Sequence, residues 1–130
     1  MEIINIIVAA LGGFIFGAVW YTIFAKPWMA TSGVAVVDGK PANQANPAPY
    51  IIGILATILV AGMMRHIFAG AGVEGVGRSL LYGAGLGAFI SAPWLCTNYG
   101  FAGKSPTLMF IDAGYAIGGS ATIGLILALF

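Results

Sequence analysis

Charged side chains are scarce. The 130 residues include five Lys or Arg and four Asp or Glu, 7% in all, against about 25% in ordinary soluble domains. A chain this short has a high surface-to-volume ratio as a globule, and so few charges cannot cover it. A soluble enzyme is excluded on that ground, and the wealth of apolar residues excludes a disordered chain. The net charge is only +1, with no basic stripe to meet nucleic acid and no polybasic tail for anionic lipid. Cysteine is nearly absent. Cys96 stands alone, so there is no internal disulfide and no thiol pair for a metal, and it reads as a small apolar filler. No Ser/His/Asp set, Cys/His cluster, phosphate loop or paired carboxylates occur, so no catalytic residues, metal or cofactor are expected.

What remains is apolar. Ala, Val, Ile, Leu, Met, Cys and the aromatics make up 60% of the chain, and the mean hydropathy is +0.99. Lipid is the solvent this composition suits, and the bilayer is the first expected partner. The apolar residues form four continuous runs, at about 3–24, 50–68, 79–99 and 107–130. Each is near the ~20 residues a membrane-crossing helix requires, and none alternates with the period of two expected of a barrel strand. The fold expected is all-α, an integral membrane four-helix bundle in a single domain. The first run begins Met1-Glu2 without Lys or Arg and is longer than a signal-peptide core, so it is expected to be a retained span.

The polar loop 25–49 carries Lys26, Asp38, Lys40, two Asn, one Gln and four of the six prolines. Its end, Asn46-Pro47-Ala48-Pro49, predicts an extended, polyproline-like approach to the second helix. Pro106 suits the first turn of the fourth helix, and Pro93 should kink the third near its exit. With four spans both ends share one face, A, with Arg65, His66, Glu74 and Arg78. The opposite face, B, receives Lys26, Lys40 and Lys104. Three basic residues against two set no orientation.

Glycine is abundant, at 20 residues. Gly13/Gly17, Gly83/Gly87 and Gly114/Gly118 form small-xxx-small pairs that let helix backbones approach closely. Gly-rich helix packing is therefore expected, within the bundle, between copies, or both. The third helix has a stripe at Gly83, Gly87, Ser91, Trp94 and Asn98. Gly83-Ala-Gly-Leu-Gly-Ala88 fits a dinucleotide fingerprint by letter, but it lies inside an apolar span and follows no strand.

Polar and aromatic groups gather toward face B. Trp20, Tyr21, Lys26 and Trp28 leave the first helix, Trp94, Asn98 and Tyr99 end the third, and Asp112 and Tyr115 open the fourth. An interfacial aromatic belt explains most of them. Asp112 strains that reading, because it lies nearly two turns inside its helix, where a carboxylate needs a partner. Lys26, Lys104, Asn98 and Tyr21 are the candidates. Asp112 is a structural pin between helices, a cation- or proton-coupling group, or a side chain reaching the headgroups. His66 and Arg65 read as interfacial.

The segments Gly17-Ala-Val-Trp20-Tyr21 and Phe24-Ala-Lys26-Pro-Trp28 resemble the signature of a bacterial membrane family catalogued as domain of unknown function 1761. Its members resemble this chain in length, in four predicted helices, and in an Asn late in helix three and an Asp early in helix four, matched here by Asn98 and Asp112. Ala25 stands where Gly is usual. The resemblance implies a fold and a bacterial inner membrane location, but no activity, and it points to the face B cluster as the place where function resides. The favoured expectation is a structural or accessory subunit that assembles through Gly-rich faces, as a homo-oligomer or within a larger membrane complex. The alternative is a small transporter or channel with Asp112 as its coupling group. Four helices of this size enclose little room, so transport calls for an oligomer.

Overall fold

In the computed structural model, which describes residues 2–130, the chain is all-α with four helical spans long and apolar enough to cross a membrane. The first is α1 (Glu2–Ile23), followed by a short α2 (Ala25–Thr31). The second is α3 (Ala48–Ala71), the third is a composite from Val76 to Phe101, and the fourth is α6 (Pro106–Leu127). Within the third, α4 (Val76–Leu86) passes through a π-helical turn at Gly87–Ser91 into α5 (Ala92–Phe101).

Prolines explain the two irregularities. Pro27 has no N–H for the carbonyl of Ile23 and its ring would clash there. The helix breaks at Phe24, whose ψ of 21° is not helical, and restarts as α2. Pro93 stands in the same relation to Phe89, and here the helix continues by widening. The N–H of Ala92 donates to the carbonyl of Gly87, five residues back. The irregularity expected at Pro93 thus takes the form of a π turn just before it.

The polar stretch is more ordered than a loop. After α2, β1 (Val36–Val37) pairs antiparallel with β2 (Lys40–Pro41). The two-residue turn between them places Asp38 at φ 53° and Gly39 at φ 74°, the conformation that an Asp-Gly dipeptide favours. The extended approach to the second span is not formed. Pro47 is already in the right-handed helical region at φ −73° and ψ −18°, and Pro49 lies in the first turn of α3. A proline there needs no N–H partner, and Asn46 Oδ1 accepts a hydrogen bond from the Ala48 N–H at 3.0 Å. Pro106 does open α6, as its sequence position predicts, with Ser105 as N-cap, its hydroxyl accepting from the Thr107 N–H at 3.1 Å.

The packing is centred on α6. It lies against α1 on one side and α4 and α5 on the other, while α3 packs mainly on α1. The α4–α6 contact is made backbone to backbone. A Cβ on Gly83 would stand 2.6 Å from the Ser120 carbonyl oxygen, and one on Gly87 2.5 Å from that of Ala116. Against α1, a Cβ on Gly13 would meet Ile123 at 2.8 Å and one on Gly17 would meet Tyr115 at 2.6 Å. Gly114 and Gly118 in turn lie under the rings of Trp20 and Phe16.

The tight core sits toward face A, where Ala9, Ala10, Ala61, Met64, Phe68, Ile123 and Leu127 are buried together. Arg65 ties that end, pairing with Glu2 at 3.4 Å and donating to the Leu127 carbonyl at 3.4 Å. Toward face B the bundle opens. α3 makes no substantial contact with α4 or α5, and a cleft of about 1310 Å³ separates them over the α1–α6 ridge.

Candidate functional site

Asp112 sits on the α6 wall of this cleft, 8% exposed. Its Oδ1 accepts a hydrogen bond from the Tyr21 hydroxyl of α1, and its Oδ2 accepts one from the Tyr99 hydroxyl of α5 at 2.6 Å. One carboxylate therefore joins three helices. An ionised carboxylate is an acceptor only, and two hydroxyl donors on separate oxygens suit that state. Of the four partners considered from sequence, Tyr21 alone bonds to it, and Tyr99 is the second partner. The only ion pair among the described residues is Arg65–Glu2, so neither Lys26 nor Lys104 neutralises Asp112.

The local backbone explains the convergence. Tyr99 is held close to α6 by a left-handed helix stop at Gly103, φ 68°. There the Lys104 N–H donates to the Tyr99 carbonyl and the Gly103 N–H to that of Gly100, the two bonds of a Schellman motif. On α1, the Trp20 indole N–H donates to the Ile111 carbonyl at 2.8 Å, anchoring the turn that carries Tyr21. Tyr115, one turn beyond Asp112, meets Tyr21 edge to face at a centroid distance of 5.4 Å. Trp28 of α2 also meets Tyr21 edge to face, at 6.1 Å.

The structure thus brings together Trp20, Tyr21, Trp28, Tyr99, Asp112 and Tyr115. Three members of the predicted cluster stand apart. Lys26 is exposed on α2, Asn98 is exposed, and Trp94 is 69% exposed on the outer side of α5. The π turn accounts for the last two. It inserts one extra residue, so the buried series on the third span runs Gly83, Gly87, Ala92, stepping by five where a regular helix steps by four. Beyond it Leu95 and Tyr99 face the cleft, each one position past the Trp94 and Asn98 of the regular stripe.

Several cleft residues lie outside the predicted cluster. Thr57 and Tyr50 line the α3 wall, inside or at the edge of an apolar run. Ser32, Asn43, Gln44 and Lys104 form a polar rim at face B, and the Tyr50 hydroxyl donates to the Gln44 carbonyl at 3.2 Å, tying the loop to the cleft mouth. The Asp38-Gly39 dipeptide was the available sign that this loop is structured. Deeper in, the walls are alkyl and aromatic, with Phe14, Ala56, Val60 and Leu95 among them.

No curated protein and no solved structure matches the chain. A family model described as a protein of unknown function (DUF1761) matches residues 4–128. With nearly every residue from the start of α1 to the end of α6 inside that match, the chain belongs to this uncharacterised family.

Proposed function

We propose that this multi-pass membrane protein is a small transporter or channel, working as an oligomer in a bacterial inner membrane, with Asp112 as its cation- or proton-coupling group. One observation carries the reading. A carboxylate at membrane depth lies on the wall of a cleft, bonded by two hydroxyls, with no cation paired to it among the described residues. A group needed only to pin helices is better served by a neutral side chain, because an ionised one costs roughly 2.5–3.5 kcal/mol at the centre of a span. The sequence favoured an accessory subunit. The transporter reading is supported by the cleft, whose wall Asp112 lines.

Proteoliposomes carrying a pH-sensitive dye test the reading. Asp112→Asn should remove cation-dependent proton movement while the protein still reconstitutes as a folded oligomer. Wild-type flux in the Asn variant sinks the proposal.

The accessory reading retains one supporting observation, the complete pairing of both Asp112 oxygens. The glycines of the three small-xxx-small pairs all meet atoms of their own chain, so assembly of either kind would use surfaces such as exposed Phe89, Trp94 and Phe101 of the third span. Native mass spectrometry from the membrane distinguishes the two: a fixed-stoichiometry complex with other proteins favours the accessory subunit, and a lone homo-oligomer favours the transporter.

A further inference from the structure

We propose that the cleft takes a lipophilic organic cation, an amphiphile with a protonated or quaternary amine or an equivalent onium centre. Its charge rests beside Asp112 and its apolar body lies between α3 and α5. This deepens the transporter reading and rests on it in taking the cleft as the working site.

Three observations converge on that class. The first is charge. Asp112 is the only acid on the cleft wall; the one cleft base, Lys104, stands at the rim and makes no ion pair with it, so the hydrogen bonds leave the negative charge itself uncompensated. An anion would be repelled, whereas a cation supplies the missing counter-charge in a medium that screens poorly. The second is the aromatic edge-to-face set Trp28, Tyr21 and Tyr115 beside the carboxylate. Ring faces attract alkylammonium groups strongly once water is excluded. They offer little to a small metal ion, which needs several oxygen ligands. The third is the wall below, where Phe14, Ala56, Val60 and Leu95 present hydrocarbon. That surface suits an apolar body joined directly to the cationic centre.

The vertical order of charges excludes a zwitterionic phospholipid. Lys104 precedes the start of α6 at Pro106, and Asp112 lies about 9 Å further along the helix axis. A phospholipid has its phosphate between amine and tails, so seating the amine at Asp112 would push the phosphate into the hydrocarbon wall, away from Lys104. A cation bonded directly to its apolar body meets no such conflict. The separation of α3 from the third span also opens the cleft sideways toward the bilayer, where such molecules partition.

The test uses the full chain in lipid nanodiscs and two ions of one shape and opposite charge, tetraphenylphosphonium and tetraphenylborate. Equilibrium dialysis against protein-free nanodiscs removes simple partitioning. Tetraphenylphosphonium should bind saturably and tetraphenylborate should not. Asp112→Asn should weaken the cation roughly thirtyfold or more, and Trp28→Leu roughly two- to fivefold. Leu95→Trp, which intrudes on the seat of the apolar body and leaves Asp112 intact, should weaken cation binding and guards against a poorly folded Asn variant. Equal binding of the two ions overturns the inference. So does an Asp112→Asn protein that binds normally, or a cleft closed to both ions because a second copy occupies it, detected by crosslinking through Leu95→Cys. Loss of cation binding with Asp112-dependent proton flux intact defeats this inference alone. Binding without any flux supports it and defeats the coupling reading.

Discussion

Gly83 and Gly85 lie two residues apart in α4 and form a matched pair for testing the α4–α6 contact. A Cβ built on Gly83 would stand 2.6 Å from the Ser120 carbonyl oxygen, 3.2 Å from Gly124 Cα and 3.3 Å from Ala121 Cα. All three are backbone atoms, so no side-chain rotation relieves the clash and α4 must move away from α6 bodily. A Cβ on Gly85 meets nothing within 4 Å. Gly→Ala brings the same gain in helix preference, about 0.8–1.0 kcal/mol, at both sites. The difference between the variants is therefore the overpacking cost alone, about 1–3 kcal/mol. Gly85→Ala should match or exceed wild type, and Gly83→Ala should fall below Gly85→Ala by about that gap. Reversible unfolding in mixed micelles, followed by tryptophan fluorescence, measures both. Equal stability of the two variants would mean that α4 and α6 do not meet through their backbones, and the packing described above would be wrong.

Other substitutions probe the site. Trp20→Phe loses the bond to the Ile111 carbonyl and the benzo edge of the indole over Gly114, and should cost at least about 0.6–1.7 kcal/mol in the same unfolding assay. Tyr21→Phe and Tyr99→Phe each remove one donor from Asp112. In a double-mutant cycle their effects should depart from additivity by about 0.5 kcal/mol or more, because they share one carboxylate; strict additivity refutes the shared site. Ser105→Ala should destabilise by about 0.5–2 kcal/mol through loss of the α6 N-cap, while Ser105→Asp retains stability.

The four spans were readable from the sequence because lipid imposes a length and an apolarity that few other constraints can imitate. Asp112 stood out for the same reason, as a charge where charge is costly. What escaped was phase and locality. The Gly83–Asn98 stripe assumed one continuous α-helix, and a single π turn moved Trp94 and Asn98 outward and brought in Leu95 and Tyr99. Nothing in the letters Gly87–Ser91 announces that turn, although Pro93 marks the neighbourhood. The α2 helix is only seven residues long and has no apolar period to betray it. Charge alone pairs Asp112 with lysines, yet the hydroxyls of Tyr21 and Tyr99 reach it from helices that only the tertiary fold places side by side.

The central place of α6 has a consequence for how the molecule is made. Chains are synthesised from the N-terminus, so the span in contact with all the others leaves the ribosome last of the four. Until it arrives, the Phe16–Trp20 ridge has no Gly114 and Gly118 to cover, the Trp20 indole has no Ile111 carbonyl, and the backbone at Gly83 and Gly87 lies bare. The earlier spans must wait in the membrane as a separated α1–α3 pair and a lone third helix. That waiting interval is when an insertion factor would have most to hold, and when α6 of a neighbouring nascent chain has its opportunity to take the vacant place.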